Sequence, residues 1–262
     1  MARISKVKKG SVIAAPKQAQ ASFEAKPLLK VLNAAYLSGA IEELVLTVAD
    51  GIGTIAAVDK TSCVFAFSQG PVGSIKDAKI GLKETGFFIK AVGAAGSEKI
   101  EFQIEDERWF KIDIPNSGEI KILLTAPDMI PTAVADYSAP IEKMREAATI
   151  EILLEKAAVD KFLYFQDLVK NTTTMVEISK GKLTIGSGKY ETRTFKVDFG
   201  SVQEEDMVVI VFGEFLKAVL SVLDWSEDAE QPMMYLGVGA PLLIEQGEGA
   251  LWSLSPSSEG GA

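Results

Sequence analysis

The sequence predicts an α+β fold built as two similar halves, and three observations carry that expectation. The first is a repeated phrase: "GFFIKAV" at 86–92 returns 127 residues later as "GEFLKAV" at 213–219, identical at five of seven positions. The second is a companion match, "DGIGTI" at 50–55 and "KGKLTI" at 180–185, sharing Gly, Thr and Ile at an offset of 130. The third is periodicity: each half holds two helix-patterned segments, their starts about 55 residues apart, separated and followed by strand-patterned runs. A chain of 262 residues has room for two domains of roughly 130, each burying its own core.

Taken in order, the first half opens with the amphipathic segment 25–39, "AKPLLKVLNAAYLSG", which ends on Gly39, a plausible C-terminal cap. The strand-like runs "ELVLTVAD", "GTIAAV" and "CVFAFS" follow, with a DG turn between the first two. A second helix is predicted over 82–96, then the strands "KIEFQIED", "RWFKIDI" and "EIKILLT". In the second half the strand "TIEILLE" leads to a helix over 157–171, then "TMVEIS", "KLTIGS", "YETRTFKVDF" and "MVVIVF". A fourth helix over 213–225 precedes "PMMYLGV", "PLLIEQ" and "ALWSLS". Few helices among many antiparallel strands place the helices on one face of a sheet. Between the halves, 125–149 holds three prolines and no clear period, so it reads as an interdomain linker.

Composition narrows the function. Net charge is −9 and the pI about 4.8, which argues against a surface coated with nucleic acid but leaves room for a local basic patch. There is no histidine and one cysteine, Cys63, so His-based triads, Cys/His zinc sites and an intramolecular disulfide are excluded together. Cys63 reads as a small, buried apolar side chain. Acid runs such as Glu204–Asp206 and Glu105–Glu107 read as solvated turns rather than Mg²⁺ sites, and an enzyme is not expected. No run approaches the roughly 18 apolar residues of a membrane span, and the chain reads as intracellular. Residues 1–21 carry Arg3, Lys6, Lys8, Lys9 and Lys17 and no acid, either a solvated arm or an accessory contact to DNA.

The lysines are not scattered. In 25–39, Lys26, Lys30 and Asn33 share the face opposite the apolar stripe; in 82–96, Lys83, Gly86, Lys90 and Gly93 do the same. In 213–225 the polar side carries Lys217 and Ser221, and the third helix carries Lys161. Small glycines beside Lys90 would let a large partner approach closely. The bland alternative, solvated lysines on amphipathic helices, stands beside the sharper one.

These words, in this order, resemble the ring-shaped DNA sliding clamps typified by proliferating cell nuclear antigen. "FEAKPLLKVLNAA" is similar to the family's opening strand–helix, "DGIGTIAAVDKTSCVFAFS" to its glycine-turn strands, and "LKETGFFIKAVGAAGSEKIEFQIED" to its second helix and following strands. "GVGAPLLIEQGEGALWSLSPSSE" matches the Pro-Leu-aliphatic-aliphatic-Glu strand and the final strand ending at Pro256. The resemblance covers about 22–259. The long proline-rich linker, the single lysine of the fourth helix and the extra arm are departures.

The resemblance implies a two-domain clamp fold: an arm at 1–21, a first domain at 22–125, a connecting loop at 126–148, a second domain at 149–256 and a tail at 257–262. It implies two helices per domain packed on antiparallel sheets, and head-to-tail assembly, usually a homotrimer, through edge strands at 119–125 and 191–199. It implies a processivity factor at the site of DNA replication, without cofactor or metal, that encircles double-stranded DNA and tethers a DNA polymerase, a clamp loader and other peptide-motif proteins. Lys26, Lys30, Lys83, Lys90, Lys161 and Lys217 would face DNA. Val58, Cys63, Met129, Ile130, Pro241, Ser253 and Pro256 would line a pocket for the partner peptide. Two rival expectations are a clamp-fold factor that does not close a ring and a β-rich viral structural or assembly protein.

Overall fold

Two tight hairpin turns show why the repeat exists. Asp50 and Gly51 (φ +49° and +80°) join one pair of strands, and Lys180 and Gly181 (φ +52° and +74°) join its counterpart. Both central residues being left-handed matches the twist of an antiparallel hairpin, with glycine where it costs least.

The computed structural model describes residues 21–257 except 75–76, 97–98, 106–108, 115–117 and 205. The basic arm expected at 1–21 therefore lies outside the described residues but for its last, and so does 258–262 of the tail. The first half runs β1 (Ala21–Glu24), α1 (Ala25–Tyr36), β2 (Leu44–Ala49), β3 (Ile52–Val58), β4 (Val64–Pro71), β5 (Ala78–Leu82), α2 (Thr85–Ala95), β6 (Lys99–Glu105), β7 (Trp109–Ile114) and β8 (Gly118–Leu123). A connector carrying α3 (Ser138–Ala147) follows. The second half repeats the order as β9 (Ile150–Leu153), α4 (Lys156–Val169), β10 (Thr173–Ser179), β11 (Lys182–Ser187), β12 (Lys196–Ser201) and β13 (Met207–Phe212). It closes with α5 (Gly213–Ser221), β14 (Met233–Leu236), β15 (Leu242–Gln246) and β16 (Ala250–Leu254).

The strands form three sheets, ordered β1-β6-β7-β8, β12-β11-β10-β13 and β5-β2-β3-β4-β16-β15-β14-β9. The third runs through both halves, joined where β4 pairs antiparallel with β16, Ala66 opposite Trp252 and Phe67 opposite Leu251. Alternation along the strands separates two apolar layers. Val64, Ala66, Trp252 and Leu254 face the helices in the main core. Phe65, Phe67, Leu243 and Leu251 face the other way and form a second cluster beneath the connector. Trp252 is 1% exposed, and its indole N–H donates to the Ala34 carbonyl of α1 at 2.7 Å, so its polar edge is satisfied inside the core.

The expected helices and most strands are present, and the differences have local causes. The second helix starts at Thr85, not 82, because Leu82 is opposite Leu44 in the unpredicted strand β5. The first helix stops at Tyr36, where Leu37 and Ser38 turn left-handed before Gly39. The fourth ends at Ser221, short of 225. The strand expected at 191–199 is a strand only from Lys196 and reaches Ser201. Before it, the Glu191 carboxylate turns away to accept from the Thr173 N–H at 2.6 Å and hydroxyl at 3.0 Å. The linker read as patternless contains α3, whose proline sits in the first turn, where no intrahelical N–H is lost.

The repeated glycine is a packing residue in both halves. A Cβ on Gly86 would lie 2.3 Å from the Tyr36 hydroxyl of α1, and one on Gly213 would lie 2.6 Å from the Asn171 carbonyl and from Gln166 Nε2 of α4. The expectation that Gly86 opens the lysine face is thus replaced by close approach of α2 to α1 and of α5 to α4, whereas Gly93 does face open space. The two sites differ in what must yield. Gly86→Ala meets the end of a half-buried tyrosine and costs under about 1 kcal/mol, whereas Gly213→Ala meets backbone and costs about 1–3 kcal/mol. Urea unfolding of the two variants checks this order.

Candidate nucleic-acid interface and docking strap

The helix face is built by 3.6-residue spacing. In α1, Leu28, Val31, Leu32 and Ala35 are buried, which leaves Lys26, Lys30 and Asn33 exposed on the other side. In α2, Phe88, Ala91, Val92 and Ala95 are buried; Lys90 is exposed, and so is Lys83 just ahead of the helix. In α4, Ala158, Val159, Phe162 and Gln166 are buried, and Lys161 is exposed.

The six lysines then divide by partner. Among the described residues Lys26, Lys83, Lys90 and Lys161 make no ion pair. Lys30 Nζ lies 2.9 Å from Asp224 Oδ2, tying α1 of the first half to the segment after α5 in the second. That ammonium, with hydrogen bonds from Ser226, holds the Asp224 carboxyl down at about 2. Lys217 is ion-paired across α5 and α4 to Asp167, and Lys156 to Asp160 at 2.6 Å along α4. Helices α1 and α2 thus carry Lys26, Lys30 and Lys90 and no acid, whereas α4 and α5 balance Lys156, Lys161 and Lys217 against Asp160, Asp167 and Glu214. The α4 face adds Tyr164 and Leu168, 66% and 61% exposed. Sequence reading missed them; the only signal was the excess of apolar residues in "KFLYFQDL", too many for one stripe.

On the opposite face the connector is a tied strap. Thr125 bridges to Gly81, Val58 N–H donates to Thr132 O at 2.9 Å, and Val134 N–H donates to Ala56 O at 2.9 Å. The Thr132 hydroxyl donates to Glu43 O at 2.6 Å. Tyr137 lies with its ring 5.1 Å from that of Phe67, and Ile141 of α3 is buried in the second cluster. Arg145 Nε donates to Glu245 Oε1 at 2.6 Å and holds the end of α3 to β15.

The residues expected in a peptide pocket are partly gathered. Val58, Phe65 and Ser253 are successive partners across β3, β4 and β16, and Ser255 N–H donates to Cys63 O at 2.9 Å. Val58, Cys63, Ser253 and Pro256 therefore share one end of the central sheet. Buried Asp59 shapes that end: its carboxylate accepts from the N–H groups of Thr61 (2.8 Å), Cys63 (2.6 Å) and Val64 (2.8 Å). Cys63 is half-buried rather than buried. Met129 is 71% exposed, but Ile130 is only 4% exposed and packs over Gly81, so the expected docking wall is instead an anchor of the strap. Pro241 lines an open groove of about 460 Å³ with Pro140, Met144 and Ala147 of α3.

Of the two acid runs, Asp206 accepts from the Lys180 N–H at 2.9 Å, while Glu205, Asp106 and Glu107 lie outside the described residues. Among the described residues no three His, Cys, Asp or Glu side chains gather as a metal site, and no helix is long and apolar enough to cross a membrane.

No protein-family model matches the sequence, and no curated protein matches it in sequence. Solved structures do match the fold. PCNA from Thermococcus kodakaraensis superposes with a TM-score of 0.64 at 14% identity, over 91% of this chain and 99% of that one. A. fulgidus PCNA, solved with the C-terminal region of FEN-1 bound, gives 0.65 at 16% identity over 92% and 99%. The β subunit of DNA polymerase III from Thermotoga maritima gives 0.66 at 14% identity over 95% of this chain and 68% of that one. The chain has the sliding-clamp fold.

The Lys30–Asp224 pair makes a pH prediction. The Asp224 carboxyl sits below its usual 3.8, so the pair's stabilisation is present above that value and is lost as pH falls toward about 2. Asp224→Asn flattens the acid limb of the stability curve over that interval. At neutral pH it costs under about 1 kcal/mol, because Lys30 is largely solvated. Urea unfolding across this pH range measures both.

Proposed function

We propose that this chain is a DNA polymerase processivity clamp. Copies join head to tail into a closed ring, a homotrimer, that encircles double-stranded DNA without reading its sequence. The ring, opened and closed by a clamp loader, tethers a DNA polymerase and other peptide-motif proteins at the site of replication. The chain does no chemistry of its own and needs no cofactor.

The observation that carries the reading is the sorting of cations: Lys26, Lys83 and Lys90 stand uncompensated on the helix face of a chain whose net charge is −9. A few lysines on phosphates release counterions, bind weakly and read no bases, which is what movement along a duplex requires. The fold supports the reading, as do strands β8 and β12, which stand at the ends of two different sheets, one in each half. A head-to-tail contact between unlike edges closes when the rotation per copy divides a full turn, and it removes both exposed edges. The end of the central sheet at Val58, Cys63, Ser253 and Pro256, beside exposed Met129, is the docking place for a partner's peptide. The C-terminal region of FEN-1 on the A. fulgidus protein is a partner segment of that kind.

The division of the lysines makes the test specific. Binding to linear duplex DNA, followed by fluorescence anisotropy from low to moderate salt, gives a log–log slope. Lys26→Ala, Lys83→Ala and Lys90→Ala together lower that slope by about 2–3, whereas Lys217→Ala, already paired to Asp167, changes it by less than about 1. Equal effects from the two variants, or none from the triple one, would overturn the assignment.

A further inference from the structure

The exposed face of α4 is partly aromatic, and it continues into a cationic loop. Lys161, Tyr164 and Leu168 follow one another on α4 at spacings of three and four, so they form one exposed stripe. Next to that stripe comes Phe165, whose ring lies 5.5 Å from that of Tyr164 and stacks 5.8 Å from that of Phe195, just before β12. The stripe therefore runs on to the β11–β12 loop, 188–195. That loop carries Lys189, Tyr190 and Arg193, all exposed, Tyr190 to 75%. Lys189 Nζ lies 5.6 Å from the centre of the Tyr190 ring, a cation and an aromatic ring side by side.

The loop is held in place as well as exposed. Gly188 N–H donates to Thr173 O at 3.0 Å, and the Glu191 carboxylate accepts from the Thr173 N–H and hydroxyl. Phe195 N–H donates to Ser187 Oγ at 2.7 Å, and the Asn171 amide donates to the same oxygen. Asn171, Thr173 and Ser187 are buried, so the loop is ordered before any ligand arrives and less freedom is lost on binding. The acids of α4 and of the loop are already engaged: Glu191 with Thr173, Asp160 with Lys156, and Asp167 with Lys217. Lys161, Lys189 and Arg193 make no ion pair among the described residues. In the first half the counterpart loop, 59–63 after β3, holds one cation, Lys60, and no aromatic side chain. The surface belongs to the second half alone.

We infer that this surface binds single-stranded DNA, with bases stacked on Tyr164 and Tyr190 and phosphates met by Lys161, Lys189 and Arg193. A duplex keeps its bases stacked on one another, so an exposed tyrosine gains little from it. A single strand offers the faces of its bases, and every base has one, so the contact reads no sequence. Uncompensated cations beside the rings supply the charge complementarity for its backbone. The inference rests on the DNA-contacting reading above and adds a second form of DNA to it: duplex at Lys26, Lys83 and Lys90, single strand at α4 and its loop. Such a pair of sites suits the place where a duplex gives way to a single strand.

Three labelled probes of equal length separate these contacts by fluorescence anisotropy: an oligothymidylate of about 20 nucleotides, an abasic strand with the same backbone, and a blunt duplex. Tyr164→Ala with Tyr190→Ala weakens binding to oligothymidylate by about tenfold or more, and leaves the abasic strand and the duplex within about threefold of the parent. Tyr164→Phe with Tyr190→Phe keeps both rings and retains the parent's affinity. Lys189→Ala with Arg193→Ala lowers the log–log salt slope on either single strand by about 1.4. All four side chains are exposed, and circular dichroism checks that each variant folds. Equal losses on the two single strands from the alanine pair, no loss at all, or the same loss from the phenylalanine pair overturns the inference. A parent that binds duplex at low salt but not oligothymidylate overturns it and leaves the duplex reading standing; a parent that binds neither overturns both.

Discussion

Pairing of β4 with β16 is the contact on which the rest of the molecule depends. Backbone hydrogen bonds alone would not hold two halves together in one register, because a slip of one residue costs little unless a face is buried. Here both faces are buried. Trp252 and Leu254 enter the main core on the helix side, Leu251 and Phe67 enter the second cluster on the strap side, and the indole N–H reaches across to α1. The eight-stranded sheet, the shared helix face and the strap that spans the junction all follow. The Lys30–Asp224 pair fastens the same junction from the solvent side, where it contributes little energy but a defined geometry.

The two halves keep one backbone plan and distribute different chemistry over it. What is constant is what packing demands: left-handed turns at Gly51 and Gly181, and a glycine where α2 meets α1 and α5 meets α4. What differs is whatever faces outward. Lys90 stands free, whereas Lys217 is neutralised by Asp167; Phe67 lies beneath a strap, whereas Lys196 lies in the open; Trp252 fills a core, whereas Ile120 lines an edge. Apolar residues occupy the β4–β16 edge that the chain pairs for itself, whereas Glu119 and Lys121 of β8 and Lys196 and Asp198 of β12 place charges on two strands at sheet ends. Charged side chains on a sheet-end strand disfavour indiscriminate edge-to-edge pairing.

Much of this was legible in the order of residues. The helices read correctly in kind because buried apolar residues recur at a 3.6-residue period, as Leu28, Val31, Leu32 and Ala35 do in α1, even where α4 adds exposed apolar residues outside its stripe. The candidate site was legible in part. Exposure of Lys26 and Lys90 follows from position on a helix, but capture of Lys30 and Lys217 by acids 194 and 50 residues away has no local signature. Strand β5 and helix α3 were hidden for another reason. Strand β5 is short and α3 buries one residue, Ile141, so the conformation of each is imposed by what it lies on, β2 in one case and the Phe65–Phe67 face in the other. The reversal at Ile130 has the same origin, since an apolar residue in a proline-rich linker looks available until Gly81 is found beneath it.

By itself, then, the sequence determined the duplication, the class of fold, the hairpin turns and the side of each helix that meets water. Those properties arise from backbone sterics and from apolar periodicity, which act within a few residues. The tertiary structure alone decided which lysines remain uncompensated, which linker residues are anchors, and which edges are consumed inside the chain. Those depend on distances between residues far apart in the chain, and no local pattern encodes a distance.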